Sequence, residues 1–233
     1  METGQEAERS RKVEKVRIIA CRLKEFYSIS LSISSRSPAE ELVHAILSQN
    51  TSRRNYDLAF SRLIEKFGTL EEIERANIED IEAAIRPGGL SRKKAMVIKN
   101  VLESIRSRTG GLSLDFLASL SVEDARDFLT SLPGVGAKTA SVVLLFGFGR
   151  EVLPVDTHVL RTSKRIGILP FRVDAVQAEK ELEDLCPPDL RPVLHLGLVK
   201  LGREVCRARR AYHESCPVSE LCETYEESKP HLL

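Results

Sequence analysis

The sequence contains no long apolar segment. Although 42% of the chain is hydrophobic, no run of apolar residues approaches the roughly 20 that a membrane-spanning helix needs. The segment from Met1 to Lys15 is charged from its first residues and lacks the apolar core of a signal peptide. We therefore expect an intracellular globular protein, and 233 residues suffice for one large domain or two small ones.

The chain has almost no net charge. Its 35 Lys and Arg residues are balanced by 34 Asp and Glu residues, which leaves a formal net charge of +1. Total charge therefore does not indicate a nucleic-acid-binding protein, and any basic surface must be local. Two local basic clusters are present, one from Arg86 to Lys94 and one from Arg203 to Arg210.

The sequence also lacks a convincing alternating strand pattern. The short alternation at Leu31–Ser34 is predicted to be an irregular connection, because apolar residues elsewhere recur at helical spacing. Ser91 and Ser121 are predicted to cap helices, and Gly68 is predicted to end one. We therefore predict an all-α protein, with its main helices at residues 39–47, 55–67, 70–75, 78–85, 91–108, 121–131, 137–146, 157–167, 174–185 and 189–203.

A glycine-rich turn is followed by a lysine and, 18 residues after that lysine, by an aspartate. In the turn Leu132-Pro133-Gly134-Val135-Gly136, both glycines are expected to allow a positive φ and a close approach of a foreign backbone. Backbone N–H groups of such a turn, at a helix start, favour an anion such as a phosphate. Lys138 lies in the first turn of the next helix, where the helix dipole favours the neutral, nucleophilic amine. Asp156 supplies a carboxylate as its partner.

This arrangement resembles the helix-hairpin-helix DNA glycosylases, and most closely their endonuclease III branch. Asp156 lies in Leu153-Pro154-Val155-Asp156-Thr157-His158-Val159, which is similar to the catalytic-aspartate segment of that family. The resemblance implies a two-domain, all-α fold with DNA bound in a cleft between the domains. It places a six-helix barrel domain with the hairpin at residues 29–150, and a helical metal-cluster domain at residues 12–28 and 151–225.

The resemblance also implies a reaction. Lys138 would attack the anomeric carbon of a damaged nucleotide and form a Schiff base with the opened sugar, and Asp156 would stabilise positive charge on the sugar or activate Lys138. β-Elimination would then break the strand 3′ to the lesion. The implied function is base-excision repair of damaged, oxidised pyrimidines in duplex DNA by a bifunctional glycosylase/lyase. His158, which follows the aspartate in the family pattern, is expected to be either a functional residue or a packing residue.

Two further segments resemble the family's DNA-intercalating loops. Ile46-Leu47-Ser48-Gln49-Asn50-Thr51 is similar to the segment whose glutamine fills the gap left by an extruded nucleotide, so Gln49 is predicted to do so here. Gly88-Gly89-Leu90-Ser91-Arg92-Lys93-Lys94-Ala95 is similar to the loop whose leucine wedges against the opposite strand, a role that Leu90 would take. The sequence departs from that pattern at Ser91, where many relatives carry tyrosine, and this puts the reading of the opposite base in doubt. Phosphate contacts are expected from Gly134 and Gly136.

Three of the five cysteines lie near the end of the sequence, a clustering that suggests metal binding before disulfides. The family's [4Fe-4S] spacing is Cys-x6-Cys-x2-Cys-x5-Cys, and here the corresponding residues are Cys206, His213, Cys216 and Cys222. Because histidine occupies the second position, a [4Fe-4S] cluster is predicted and structural zinc remains the alternative. Cys21 and Cys186 are predicted to be buried free thiols, with Cys186 as an alternative fourth ligand.

The arginines beside the first ligand are predicted to contact DNA phosphates, with the metal fixing their loop; these are Arg207, Arg209 and Arg210. The expected partner is duplex DNA with a damaged base or an abasic site, and the expected state is a monomer in the cytoplasm or nucleoid. Alternatives remain within the superfamily, as a uracil or thymine mismatch glycosylase or an oxidised-purine glycosylase. Two alternatives lie outside the superfamily. The protein would be a non-catalytic DNA clamp that uses the hairpin, or a redox-sensing protein in which the cluster is the functional part.

Overall fold

The computed structural model describes residues 2–228, and this part of the chain is built from twelve α-helices joined by turns and short 3₁₀ segments. Within it there is no β-strand, only one isolated bridge between Cys206 and Ala211. The prediction of an all-α protein is therefore confirmed. None of the described helices has the length and apolar character that crossing a membrane requires.

The chain divides into two compact units. One is the continuous segment Ile33–Arg150, and the other combines the two ends of the chain, up to residue 32 and from residue 151 onward. The central unit contains α2 (Pro38–Leu47), α3 (Arg53–Phe67), α4 (Leu70–Arg75), α5 (Ile78–Ile85), α6 (Ser91–Thr109), α7 (Val122–Thr130) and α8 (Ala137–Phe148).

Most helices of the central unit begin at a polar cap. Ser37 forms a capping box with Glu40, directly before Pro38 at the first position of α2. Side chains of Thr69, Asn77 and Ser121 accept the backbone N–H three residues onward, at Glu72, Asp80 and Asp124. These short-range hydrogen bonds explain why helix positions in this part of the chain follow closely from the sequence.

The core of the central unit forms around α8. This helix is apolar on nearly all sides, and its buried residues include Ala140, Val143 and Leu144, all fully inaccessible to solvent. A helix that is apolar all round belongs in the interior, so α8 lies at the centre of this unit. The sequence predicted this helix to end at Phe146, and it continues to Phe148, with the C-cap at Gly149.

The terminal unit contains the remaining helices. They are α1 (Glu2–Phe26), α9 (Thr157–Ile166), α10 (Ala175–Leu185), α11 (Arg191–Glu204) and α12 (Glu223–Ser228). Helix α1 begins at Glu2, whereas the sequence places the first segment of the metal-cluster domain at residues 12–28. Its apolar face packs against α11 at Gly197, where a Cβ atom would lie 2.7 Å from the Cβ of Leu23. Only glycine permits so close an approach of these two helices.

The connection between α7 and α8 depends on one glycine. Gly134 has a φ of +77°, and the Val135 N–H donates to the Leu132 carbonyl across a turn, N to O 3.2 Å. A Cβ atom at Gly134 would lie 2.8 Å from Cγ1 of Val97 on α6. Gly136 differs from the prediction, because its φ is −98° and a Cβ atom there would meet nothing within 4 Å. Positive φ is required only at Gly134.

Gly134→Ala is therefore expected to destabilise the protein more than Gly136→Ala. At Gly134, left-handed backbone strain and overpacking against Val97 should together cost about 2–4 kcal/mol. At Gly136 the only loss is a slightly poorer N-cap, of about 0.5 kcal/mol. Urea unfolding followed by circular dichroism measures both. Equal losses for the two variants would contradict the role given to Gly134.

Candidate active site

Lys138 is held directly behind the hairpin turn. Gly136 is the N-cap of α8, and as a glycine it has no side chain to cap the helix. Lys138 is the second residue of the helix, after Ala137. Lys138 is half-buried, and within residues 33–150 its Nζ has no hydrogen bond or ion pair. The backbone N–H groups in the first turn of a helix lack intrahelical partners and carry partial positive charge. This end of α8 therefore combines an amine with donors suited to an anion.

Gln49 lies beside the same end of α8. Its Nε2 donates to Oγ1 of Thr139 at 3.3 Å, so the predicted gap-filling side chain lies next to the residue following Lys138. Gln49 follows the end of α2 and precedes Asn50, which has a φ of +53°. A non-glycine residue in this region is uncommon, and asparagine is among the residues that tolerate it.

Leu90 is exposed and lies in a strained backbone conformation. Its φ is +49°, and 57% of the residue is accessible to solvent. It serves as the N-cap of α6 without any side-chain cap, which corrects the prediction that Ser91 caps this helix. Ser91 is instead the first helical residue, and its hydroxyl donates to Glu82 at 3.4 Å. A large apolar side chain held outward by a left-handed backbone suits insertion into a partner.

Asp156 belongs to the terminal unit, where it caps α9. Its Oδ1 accepts the backbone N–H groups of His158 and Val159, each at 2.8 Å. Both cap hydrogen bonds use Oδ1, so Oδ2 takes no part in capping α9. Two residues earlier, the Pro154 carbonyl lies 2.7 Å from Nδ1 of the buried His195. Sequence reasoning missed His195, because a single histidine inside an apolar helix gave no signal of this contact.

The three C-terminal cysteines lie close together in the terminal unit. Burial, with smaller contributions from the neighbouring Cys222 and Cys206, raises the pKa of the Cys216 thiol to about 11. Burial likewise raises the pKa of Cys222, whose Sγ donates to the Arg165 carbonyl at 3.3 Å. The thiols are thus near enough for each to act electrostatically on its neighbours.

His213 lies beside Tyr225, with ring centroids 4.6 Å apart. Among residues 2–228 no three His, Cys, Asp or Glu side chains are arranged, as they stand, to hold a metal ion. Cys186 is buried, which raises its pKa to about 12. Cys21, by contrast, is exposed, so the prediction that it is a buried thiol is wrong. It occupies the outer face of α1, opposite Ile19, Ala20 and Leu23 in the core.

The arginine loop after Cys206 is fixed from two sides. Arg207, Arg209 and Arg210 are all exposed, and the guanidinium groups of Arg207 and Arg210 lie 5.5 and 5.0 Å from the ring centroid of Tyr212. Arg165 donates from below to the carbonyls of Arg207 and Ala208, at 2.7 and 2.9 Å. The loop therefore presents several positive charges on a constrained backbone.

Arg161 and Arg165 are functional candidates that sequence reasoning missed. Both lie on α9, one turn apart on the face toward the cysteine loop. Arg161 donates to the Cys206 carbonyl at 3.1 Å and to the Gly202 carbonyl at 2.7 Å. Their four-residue spacing in the sequence indicates that they share one face of a helix, but it does not predict which carbonyls they would bind.

A family model matches residues 43–188, that of the HhH-GPD superfamily base excision DNA repair proteins. The chain is 34% identical over 188 residues to endonuclease III of Thermotoga maritima, covering 81% of this chain and 84% of that protein. It is 36% identical over 207 residues to endonuclease III of Sulfolobus acidocaldarius, covering 87% and 89%. A putative DNA glycosylase of Arabidopsis thaliana is 35% identical, and the match spans 65% of its length.

Solved structures of endonuclease III are similar to this chain as well. A trapped covalent intermediate of endonuclease III with DNA, and a non-covalent endonuclease III–DNA complex, each superpose with a TM-score of 0.80 at 29% identity. Both cover 92% of this chain and 97% of the matched chain. The chain therefore belongs to the HhH-GPD superfamily of base excision DNA repair proteins, and the predicted resemblance to endonuclease III-like DNA glycosylases is confirmed.

Proposed function

We propose that this chain removes a damaged base from duplex DNA and then cleaves the strand, with Lys138 as the nucleophile. The observation that carries the proposal is the position of Lys138, in the first turn of α8 and free of ion pairs within its unit. The unpaired N–H groups of this first turn suit an anion such as a DNA phosphate, which would bring the sugar to the amine. A non-catalytic DNA clamp would use the same lysine only to contact a phosphate, and trapping of a covalent adduct distinguishes the two roles.

The reaction has two stages. Lys138 Nζ attacks the anomeric carbon, and the bond between sugar and base breaks with the electron pair leaving on the base. Positive charge that develops on the sugar is stabilised by the carboxylate of Asp156, through the oxygen that its helix cap does not use. The sugar then opens to a Schiff base with Lys138. A proton leaves C2′ to water, the C3′–O bond breaks, and the downstream strand departs with the electron pair as a 5′-phosphate.

DNA binding is assigned to surfaces of both units. Gln49 fills the gap left by the extruded nucleotide, and Leu90 enters the stack on the opposite strand. The hairpin backbone at Gly134 and Gly136 faces a phosphate, as does the loop that carries Arg207, Arg209 and Arg210. We assign an oxidised pyrimidine as the substrate, and the protein would act on DNA in the cytoplasm or nucleoid.

Borohydride trapping on a duplex with one oxidised pyrimidine tests the nucleophile. Reduction of the Schiff base should give a covalent protein–DNA adduct with the unaltered chain and none with Lys138→Ala. Lys66→Ala is the matched control, because Lys66 pairs with Asp80 at 2.7 Å on the surface of α3 and should leave the adduct unchanged.

Parallel duplexes identify the base. An adduct only with an abasic site, a mismatched uracil or thymine, or an oxidised purine would keep the lyase and replace the oxidised pyrimidine as the substrate. DNA binding without any adduct, on all of these duplexes, would refute the lyase activity and leave a clamp or a monofunctional glycosylase.

The two roles of Asp156 are separable by substitution. Asp156→Asn keeps an oxygen for the N-cap, so its stability should change little, whereas Asp156→Ala should lose about 1 kcal/mol. Both variants lose the charge, and base release should fall by about 100- to 1000-fold. Asp174→Ala is the control, since Asp174 caps α10 in the same way with bonds of 2.9 Å. It should lose stability and retain base release, measured by single-turnover kinetics.

We also propose that Cys206, His213, Cys216 and Cys222 hold a [4Fe-4S] cluster. The donor types fit, because thiolates hold [4Fe-4S] clusters and imidazole binds iron in the [2Fe-2S] centres of the Rieske type. Their side chains must draw together on binding, and the cluster would tie the arginine loop to the end of the chain. Its part is structural, and the bond-breaking steps rest on Lys138 and Asp156.

The metal content of the protein purified without oxygen tests this assignment. We expect about four irons and four sulfides per chain, lost in Cys222→Ala and retained in Cys21→Ala, since Cys21 is exposed on α1. His213→Cys should retain iron and lower the reduction potential, because imidazole ligands raise it. One zinc per chain and no sulfide would overturn the cluster.

A further inference from the structure

Lys94 is a buried lysine in the first turn of α6. Only 3% of it is accessible to solvent, and burial lowers the pKa of its ammonium. A buried ammonium is tolerated only when its N–H groups find acceptors. Lys94 Nζ donates to the Leu47 carbonyl at 2.7 Å and to the Gly88 carbonyl at 2.9 Å.

Both acceptors are carbonyls at the ends of helical segments. Leu47 is the last residue of α2, and Gly88 is the last residue of a 3₁₀ turn at Arg86–Gly88. Carbonyls at the end of a helix lack intrahelical donors and carry partial negative charge. They therefore stabilise the ammonium where a carboxylate would otherwise be needed.

The same two carbonyls lie just before the two proposed intercalating residues. Leu47 precedes Gln49 by two residues, and Gly88 precedes Leu90 by two residues. Each loop also contains a strained position, with φ +53° at Asn50 and +49° at Leu90. Such conformations persist only where the surrounding structure holds them. One side chain thus binds the backbone just before both strained loops, although Leu47 and Gly88 are 41 positions apart in the sequence.

We propose that Lys94 is a positioning residue that fixes the spacing between the Gln49 loop and the Leu90 loop, so that both side chains enter the DNA stack together. The inference rests on the proposed glycosylase function. Lys94 itself is buried and contacts neither the sugar nor the base. It acts through the backbone of the two loops, and its loss should impair extrusion of the nucleotide more than the chemistry at Lys138.

Two substrates separate these effects. Cleavage of a duplex requires the stack to be opened, whereas a single-stranded oligonucleotide with a preformed abasic site needs only the lyase step. Lys94→Met keeps an unbranched apolar stem, one atom shorter than that of lysine, and removes the donors. We expect it to lower kcat/KM on the duplex by about 10- to 100-fold, with single-stranded cleavage changed by less than about threefold.

Lys99→Met is the matched control. Lys99 lies on the same helix and also donates to two backbone carbonyls, those of Glu74 at 2.7 Å and Ala76 at 2.9 Å. These acceptors lie near the end of α4, away from either loop. Lys99→Met should therefore affect both substrates alike. Parallel losses on the two substrates for Lys94→Met, or no loss on either, would overturn the proposal.

A fluorescence measurement tests the inference independently of bond cleavage. 2-Aminopurine beside a non-cleavable abasic-site analogue brightens when the stack opens, and Lys94→Met should reduce this increase while Lys99→Met preserves it. If the unaltered chain brightens the probe but cleaves neither substrate, the proposed lyase fails and the role of Lys94 is still decided. Should Lys94→Met not fold, Lys94→Leu, which also removes the N–H donors, is measured in its place. An unchanged increase in either variant would refute the positioning role.

Discussion

The hairpin between α7 and α8 depends on the absence of a single carbon atom. At Gly134 the backbone turns with a φ of +77°, and the space a Cβ would need is filled by Val97 of α6. This contact fixes where α8 begins, and hence where Lys138 lies relative to the unpaired N–H groups of its first turn. Because α8 is also the buried centre of its unit, the proposed nucleophile is held by a helix that packs into the core.

Two loops of the same unit contain strained backbone positions. Asn50 and Leu90 both have positive φ without being glycine. Conformations of this kind cost on the order of 1–3 kcal/mol each, so the folded structure must offset them. Lys94 provides part of that support, because its ammonium is desolvated and can satisfy its N–H groups only with the loops in their present positions. The hydrogen bonds of the buried ammonium therefore offset part of the backbone strain, and the strained loops supply the acceptors that the ammonium needs.

The sequence predicted best where the determining interactions are local. The bounds of α4 and α5 were predicted as Leu70–Arg75 and Ile78–Ile85, and both agree with the structure, since caps at Thr69 and Asn77 lie within three residues of their acceptors. Prediction failed where a distant contact decides. Ser91 has the residue type of an N-cap, yet Leu90 takes that position because the loop before it is held in a left-handed turn.

Hydrophobic periodicity likewise does not predict whether a single side chain is buried. Lys94 stands in a run of charged residues that indicates a solvated surface, and only the carbonyls of Leu47 and Gly88, remote in sequence, make its burial possible. Cys21 shows the reverse case, since it lies on the exposed face of α1 although cysteine is usually buried.

Helix α9 links the carboxylate to the arginine loop within the terminal unit. Asp156 caps its first turn, while Arg161 and Arg165, further along, donate to the backbone of the loop that begins at Cys206. Each arginine makes several charge-assisted hydrogen bonds in a fixed planar geometry, which a lysine would not reproduce. A displacement of the cysteine loop must therefore either break these bonds or move α9 with it. The proposed cluster and the proposed carboxylate are thus joined through one helix, so a structural metal could influence catalysis without taking part in bond cleavage.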